Sequence, residues 1–436
     1  MPVNFIKIKD LISSRKGDVI VERENITTVK FENDKLVSIN NTEKEGIGVR
    51  LIVNSRVGTS STNDASKIEE TFQKAEEISK FGEELDISFP KQPSFSIPIK
   101  IYDSSLENVN ERDMVELGEE IIGSIKEIDP SIVVNLTIEK GFITKTIINS
   151  SGLDLSFDKT IWGISVEGVY VGRDESLLWL YDDKHTSRYD IDFSSMVSHI
   201  RNIYFFAQTS AKVQTGKYPV IFAPNCLYDL IKIMTISFSA ENVYKGISPV
   251  GDKIGHEILS NKFSLADSPH IEWGINSQPF DDEGVLTNYK EIVSNGILKT
   301  FVNDLRTAYL QNQTPTGNGF RSFSSLPKPS FSNIIIPRGE YTLKEMISLL
   351  DRGLIVYQFL GGGQSNINAG EFSVNVETGF YIENGKITGR VKDTMLFGNV
   401  FEIFKKVIQV SKETKNVYNA VLPYIMVDSV NVSSEV

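Results

Sequence analysis

The sequence has 436 residues and a formal net charge of −12 at pH 7, with 45 basic and 57 acidic residues. This length exceeds what one hydrophobic core usually organises, so two or three domains are expected. No apolar run approaches the roughly 18 residues that a membrane-spanning helix needs. No run of Lys and Arg could follow a phosphate backbone, which argues against direct binding of DNA or RNA.

The N-terminal residues and the cysteine usage favour a cytoplasmic location. The first 17 residues mix charged with apolar side chains and do not form the continuous apolar segment of a signal peptide. The single cysteine, Cys226, cannot form an internal disulfide, which fits a reducing compartment.

The first 213 residues are predicted to form an N-terminal α+β domain of two sub-blocks, about 1–83 and 101–191. Each sub-block combines strands of alternating polar and apolar residues with one amphipathic helix. In residues 18–54 this alternation predicts a sheet with one face in solvent. A helix over 192–212 is predicted to connect the two halves of the chain.

Residues 214–436 are predicted to form a mostly antiparallel β domain with short helices, which makes the fold class α+β. The apolar spacing of Leu227, Ile231, Met234 and Phe238 predicts a helix after Pro224. Another helix is predicted from about Thr394 to Val410.

The candidate chemical groups are few. His256-Glu257 does not complete an HExxH zinc motif, because Ser260 occupies the position of the second histidine. The acidic run Asp281–Glu283 is predicted to be a solvated turn, with a Ca²⁺ or Mg²⁺ site as the alternative. Cys226 is interpreted as structural, and Gly361–Gly363 as either a bend or a point of close backbone approach.

Six stretches of the chain, in this order and spacing, resemble the TldD/PmbA family, whose PmbA branch is also called TldE. They are GIGVRLIVNSRVGTSSTND (46–64), YKGISPVGDKIGHEILS (244–260), PFDDEGV (279–285), NGILKTFVNDLRTA (295–308), TGNGFR (316–321) and GFYIENGKITGRVKDTMLFGN (379–399). The resemblance implies a dimer that encloses a tunnel and a link to unfolded peptides or to DNA gyrase.

In the TldD branch, the resemblance implies a zinc ion held by an HExxxH helix and a late cysteine. Ile231, Lys232 and Ile236 occupy the corresponding helix positions here, no histidine lies between His199 and His256, and no cysteine follows Cys226. Isoleucine cannot coordinate a metal, so the chain is similar to the TldE branch, and zinc is expected only in a TldD-like partner.

The favoured hypothesis is a non-catalytic subunit that pairs with a TldD-like subunit or with itself and holds unfolded peptides for proteolysis. One alternative is a self-sufficient metallopeptidase homodimer that uses His256, Glu257, His270 or the acidic run. Another is a modulator of DNA gyrase or of a toxin–antitoxin pair that acts through protein contacts. The candidate peptide-binding or interface residues are Asn303, Asp304, Arg306, Gly361, Gly362, Gly363, Phe372 and Ser373.

Overall fold

The computed structural model describes residues 3–172, 176–361 and 365–434. Its helices are α1 (Phe5–Ser13), α2 (Ile68–Ser79), α3 (Glu111–Lys126), α4 (Ser194–Phe206), α5 (Pro224–Ser237), α6 (Ala240–Tyr244), α7 (Leu305–Leu310), α8 (Leu343–Ser348) and α9 (Val400–Phe404). None of these helices combines the length and the apolar character needed to cross a membrane.

An antiparallel sheet forms the first half of the chain. Its strands are β1 (Gly17–Glu32), β2 (Lys35–Val53), β3 (Arg56–Thr62), β4 (Val133–Asn149), β5 (Asp154–Val171) and β6 (Leu177–Thr186). They lie in the order β3-β2-β1-β4-β5-β6. Helices α1 and α2 cover part of one face, where Phe72 and Ala75 of α2 are fully buried.

The second half of the chain forms a larger, mostly antiparallel sheet. Its principal strands are β7 (Gly216–Phe222), β8 (Leu265–Asp267), β9 (Lys290–Ser294), β10 (Ile297–Leu298), β13 (Ile334–Ile335), β14 (Arg352–Leu360), β15 (Glu371–Glu383), β16 (Lys386–Arg390), β17 (Thr394–Asn399), β18 (Val407–Val417) and β19 (Ala420–Ser434). A separate short pair consists of β11 (Gly319–Phe320) and β12 (Lys328–Pro329).

Five strands of the larger sheet close on themselves. The order β19-β17-β15-β14-β7 returns to its start because β7 also pairs with β19. Helix α5 packs against this ring through Leu227, Ile231 and Met234, which are fully buried in the main apolar core of the second half. All five strands of the ring contribute side chains to this core, which fixes the position of α5 relative to them.

The predicted α+β class is confirmed, with antiparallel sheets and interspersed helices throughout. The two sheets span residues 17–186 and 216–434, and α4 contacts both β6 and β16 between them. The domain boundary at 213/214 stays a prediction.

The predicted helix over Thr394–Val410 is wrong. Thr394 and Leu396 are buried while Met395 and Phe397 are exposed, which is the two-residue alternation of strand β17. Only the five residues of α9 are helical, and the Asn399 side chain caps them by accepting a hydrogen bond from the backbone N–H of Phe401.

The prediction of a solvent-facing charged surface on the first sheet is also wrong where β1 begins and β2 ends. Asp18 and Arg50 lie opposite each other on these strands, and both are buried under the second half of the chain. The alternation was recognised correctly, but charged residues on one face of a sheet do not distinguish solvent from a polar interface.

Candidate functional site

A cavity of about 600 Å³ lies between α5 and the ends of β14 and β15. One stripe of α5, at spacings of three and four residues, faces it through Asp229, Lys232, Ile233 and Ile236. The opposite wall carries mainly apolar side chains: Phe359, Ile367, Phe372 and Val374. The cavity has a largely apolar lining and few charged groups, which is the composition of many ligand sites.

Among the described residues, part of the β15 edge beside this cavity has no neighbouring strand. Strand β14 ends at Leu360, which pairs with Asn375, so within the described residues Glu371–Val374 pair with β17 but not with β14. The backbone N–H of Glu371 bonds to the carbonyl of Asn366. The backbone beyond it offers a short strand edge of the kind to which an extended peptide can add.

Gly361, Phe372 and Ser373, among the residues predicted to bind peptide, lie at or beside this cavity. Gly361 has φ +65°, and apart from its chain neighbours no atom of the described residues lies within 4 Å of the position of a Cβ, which at this glycine favours the bend over the close-approach interpretation. Phe372 is buried in the wall, and Ser373 donates a hydrogen bond to the Met395 sulfur. Gly362 and Gly363 lie outside the described residues.

The other three predicted residues lie elsewhere and make contacts within the chain. Asn303 exchanges hydrogen bonds with Thr316, and Asp304 caps α7 by accepting from Thr307. Arg306 forms a two-pronged ion pair with Glu83, at 2.6 and 2.7 Å. The structure therefore does not bring these three side chains to the cavity beside α5.

The residues of α5 do not fit a zinc ion. Ile236 and Lys232 face the cavity, whereas Ile231 points into the core and is fully buried. The only carboxylate that α5 presents to the cavity is that of Asp229, beside the ammonium of Lys232. Burial raises the pKa of Asp229, and the charge of Lys232 opposes this shift. Zinc sites in proteins need three or four nitrogen, sulfur or oxygen ligands, and this wall supplies one.

The remaining candidate ligands are not gathered into a metal site either. His256 and Glu257 lie on an exposed loop, and the His270 side chain is 2.9 Å from the Thr287 hydroxyl. Among the described residues, no three His, Cys, Asp or Glu side chains are arranged to hold a metal ion.

The prediction of a solvated acidic turn at Asp281–Glu283 is wrong, because all three side chains are buried. Glu283 accepts a hydrogen bond from Arg50 at 2.6 Å and another from the backbone N–H of Leu305 at 2.7 Å. Asp282 lies 3.1 Å from the Lys145 ammonium. The acidic run therefore connects the second half of the chain to basic residues on the first sheet.

Cys226 is buried in the core, as its structural interpretation requires. Its thiol donates a hydrogen bond to the carbonyl oxygen of Val356 at 2.9 Å, which links α5 to β14. Burial raises the pKa of this thiol well above its ordinary value, which disfavours the nucleophilic thiolate.

Ser165, His185 and Asp183 lie close together on β5 and β6, a grouping that sequence reasoning missed. The Ser165 hydroxyl and the Asp183 carboxylate lie 3.4 and 3.5 Å from the same nitrogen, Nε2 of His185. A serine nucleophile needs a histidine with one partner on each ring nitrogen, so this arrangement is not a catalytic triad. Sequence alternation places 183 and 185 on one face but cannot reveal which nitrogen they share.

Sequence reasoning also missed Asp229 and Ile367 as cavity residues. The one available signal was Asp229, a carboxylate on a mostly apolar stretch of α5. Ile367 carries no such signal, because an apolar residue that lines a cavity looks like a core residue in the sequence.

Comparison with protein families identifies the chain. The model of the PmbA/TldA metallopeptidase C-terminal domain matches residues 215–434, and that of PmbA/TldA metallopeptidase domain 1 matches residues 17–79. The chain belongs to the PmbA/TldD family. The family assignment made from the six sequence stretches is thereby confirmed.

Relatives of known sequence and structure cover nearly the whole chain. Two are from Methanocaldococcus jannaschii: the uncharacterized protein MJ0231, 27% identical over 83% of each chain, and Metalloprotease MJ0996, 25% identical over 94% of this chain and 93% of its own. TldE from Thermococcus kodakarensis superposes with a TM-score of 0.90 at 23% identity, covering 99% of both chains. A Thermotoga maritima protein described as a modulator of a DNA gyrase has the same TM-score at 24% identity, with 99% and 100% coverage. At these identities, the structural matches establish a shared fold only.

Proposed function

We propose that this chain is a TldE-like, non-catalytic subunit of a metalloprotease pair in the PmbA/TldD family. It dimerises with a TldD-like subunit that bears HExxxH, or with itself, and holds an unfolded peptide for cleavage. The observation that carries the proposal is the cavity beside α5. This cavity has an apolar lining and lies beside a strand edge. Ile236 and Lys232 line it at the helix positions where the family resemblance implies zinc-site residues in the TldD branch.

The geometry supports peptide binding through two complementary contacts. A peptide that extends along Glu371–Val374 gains main-chain hydrogen bonds, which do not depend on its sequence. Its apolar side chains are received by Phe359, Phe372 and Ile236. Unfolded segments expose both their backbone and their apolar side chains, so this combination suits them as a class.

Co-expression with the HExxxH-bearing family member of the same genome tests the division of labour. We expect a stable hetero-complex that contains zinc and cuts an unfolded casein substrate, while this chain alone contains no stoichiometric metal and does not cut. The readouts are co-purification, metal analysis by mass spectrometry and gel-based proteolysis. Chelator-sensitive cleavage by this chain alone would instead support the self-sufficient metallopeptidase.

A substitution in the cavity tests its role directly. Ile236→Glu places a charge on the apolar wall at a partly exposed position, so we expect the affinity for a fluorescent unfolded peptide to fall about tenfold or more. Ile254→Glu is the matched control, because Ile254 is exposed on a loop that does not line the cavity. Equal peptide affinity of the two variants, measured by fluorescence anisotropy, would refute binding at α5.

A further inference from the structure

A second cavity, of about 550 Å³, lies where the first sheet meets the second half of the chain. Strands β1, β4 and β5 form its floor, and segments 275–282 and 320–331 cover it. It shares no lining residue with the cavity beside α5. Nothing in the proposed function accounts for it.

The charged groups that line this cavity do not balance. Lys145 is held between Glu22, at 3.4 Å, and Asp282, at 3.1 Å. The Arg321 guanidinium lies 3.0 Å from the Asp18 carboxylate, and the Lys44 ammonium lies 3.9 Å from the Glu24 carboxylate. Two lining ammonium groups, those of Lys159 and Lys328, have no carboxylate within 4 Å among the described residues.

Of these two lysines, Lys159 is buried and Lys328 is exposed. The Lys159 side chain is 6% exposed, and its ammonium donates to the carbonyl oxygen of Ile275 at 2.7 Å. An ammonium group has three protons to donate, so a neutral carbonyl oxygen leaves this group short of acceptors and of a counter-charge.

A second polar group at the same cavity lacks a partner. The side-chain N–H₂ of Gln278 is buried and makes no hydrogen bond with the described residues, although Gln278 is only 5% exposed. Buried amide donors are normally satisfied, so an orphaned one that lines a cavity indicates an acceptor that the cavity can receive.

The rest of the lining is mostly apolar and partly aromatic. It consists of Ile143, Phe157, Ile161, Ile275, Phe320 and Phe331, together with the neutral polar residues Asn276 and Ser330. We propose that this cavity binds a small carboxylate with an apolar body, whose carboxylate receives hydrogen bonds from Lys159 and Gln278. Both a free acylated amino acid and the C-terminal residue of a peptide present this chemistry.

Protonation of Lys159 controls this binding. Burial, and then the nearby charge of Lys145, lower its pKa to about 7, and Asp282 opposes the shift. The other charged groups that line the cavity are Glu22 and Glu24 from β1, and Arg321 and Lys328 from the covering segment. A bound carboxylate favours the charged ammonium, so binding above pH 7 takes up a proton.

Isothermal titration calorimetry of the full chain with N-acetyl-phenylalanine tests the proposal. We expect saturable binding that weakens about tenfold for each pH unit above 7, because the ammonium must be protonated. Titrations at pH 8 in buffers of different ionisation enthalpy should reveal the uptake of close to one proton. N-acetyl-phenylalaninamide, which lacks the carboxylate, should not bind. A heptapeptide ending in phenylalanine, with a free or an amidated C-terminus, distinguishes the peptide source from the free amino acid.

Two variants and one control locate the site. Lys159→Met should abolish both binding and proton uptake, while Ser330→Asp, an exposed position that lines the cavity, should weaken binding by charge repulsion without disturbing the fold. Lys299→Met, outside the cavity, should change neither. The proposal fails if wild-type protein does not bind at millimolar ligand, if the amide binds equally well, or if both cavity variants bind like wild type. None of these readouts involves proteolysis, so the proposed subunit function can fail independently.

Discussion

At the scale of single residues, Lys159 is unusual because the folded chain stabilises its neutral form. The nearest polar contact is a backbone carbonyl, and burial lowers the pKa to about 7. In the unfolded chain the amine has an ordinary pKa of about 10.4. Between these two values the unfolded chain binds more protons than the folded chain, so the contribution of Lys159 to stability rises with pH in this window.

Lys159→Met is therefore expected to stabilise the protein at neutral and lower pH by about 1–4 kcal/mol, since methionine fills the same space without a charge. The gain should shrink as the pH rises from 7 towards 10. Urea denaturation of both proteins at pH 6.5 and pH 9.5 measures the difference. A stability gain that does not depend on pH would show that the amine titrates normally in the folded chain.

At the scale of elements, helix α7 shows how a residue predicted to bind peptide serves the fold. The Asp304 carboxylate accepts from both the backbone N–H and the hydroxyl of Thr307, and the two residues form a capping box. The Glu283 carboxylate accepts a hydrogen bond from the backbone N–H of Leu305. Side chains of this chain therefore supply hydrogen-bond acceptors for the first turn of α7.

Asp304→Ala should destabilise the protein by about 1–2 kcal/mol through loss of this cap, with unchanged affinity for unfolded peptide. Asp304→Asn should retain most of the stability, because an amide oxygen also accepts from Thr307. Asp252→Ala, at an exposed aspartate outside this helix, is the matched control and should change stability little. Thermal denaturation and peptide anisotropy measure the two effects. Weaker peptide binding at full stability would restore Asp304 as a binding residue.

At the scale of the whole molecule, a buried network of charges joins the two halves of the chain. Arg50 on β2 bonds to both oxygens of Asp18, at 2.9 and 2.6 Å, and to Glu283 in the second half. Arg321, also from the second half, reaches the same Asp18 carboxylate. The surfaces are close here, since a Cβ added to Gly48 would lie 2.0 Å from the carbonyl oxygen of Phe323.

Arg50→Met should cost about 3–5 kcal/mol, because it leaves the carboxylates of Asp18 and Glu283 buried without their shared cation. Arg56→Met is the control, since Arg56 is exposed and its nearest carboxylate, that of Glu84, is 4.0 Å away. Urea denaturation followed by tryptophan fluorescence and by circular dichroism tests this. A cost for Arg50→Met no larger than that for Arg56→Met would mean that the network contributes nothing to the association of the two halves.

The sequence by itself determined the features that depend on neighbouring residues or on linear order. Alternation identified the long strands of the first sheet, three- and four-residue spacing identified α5, and the order of six stretches identified the family. The absence of zinc ligands at Ile231 and Ile236 was also visible without a structure, because a side chain's capacity to coordinate belongs to the residue itself.

Only the tertiary structure decided which charged and apolar residues meet. Glu22, Lys145 and Asp282 are far apart in the chain, yet they form one ion-paired group. Ile236 and Phe372 are also far apart in the chain, yet both line the cavity beside α5. Local periodicity reports which face of an element a side chain occupies, whereas burial depends on what packs against that face. For this reason the acidic run at Asp281–Glu283 was predicted to be solvated and is instead part of the interior.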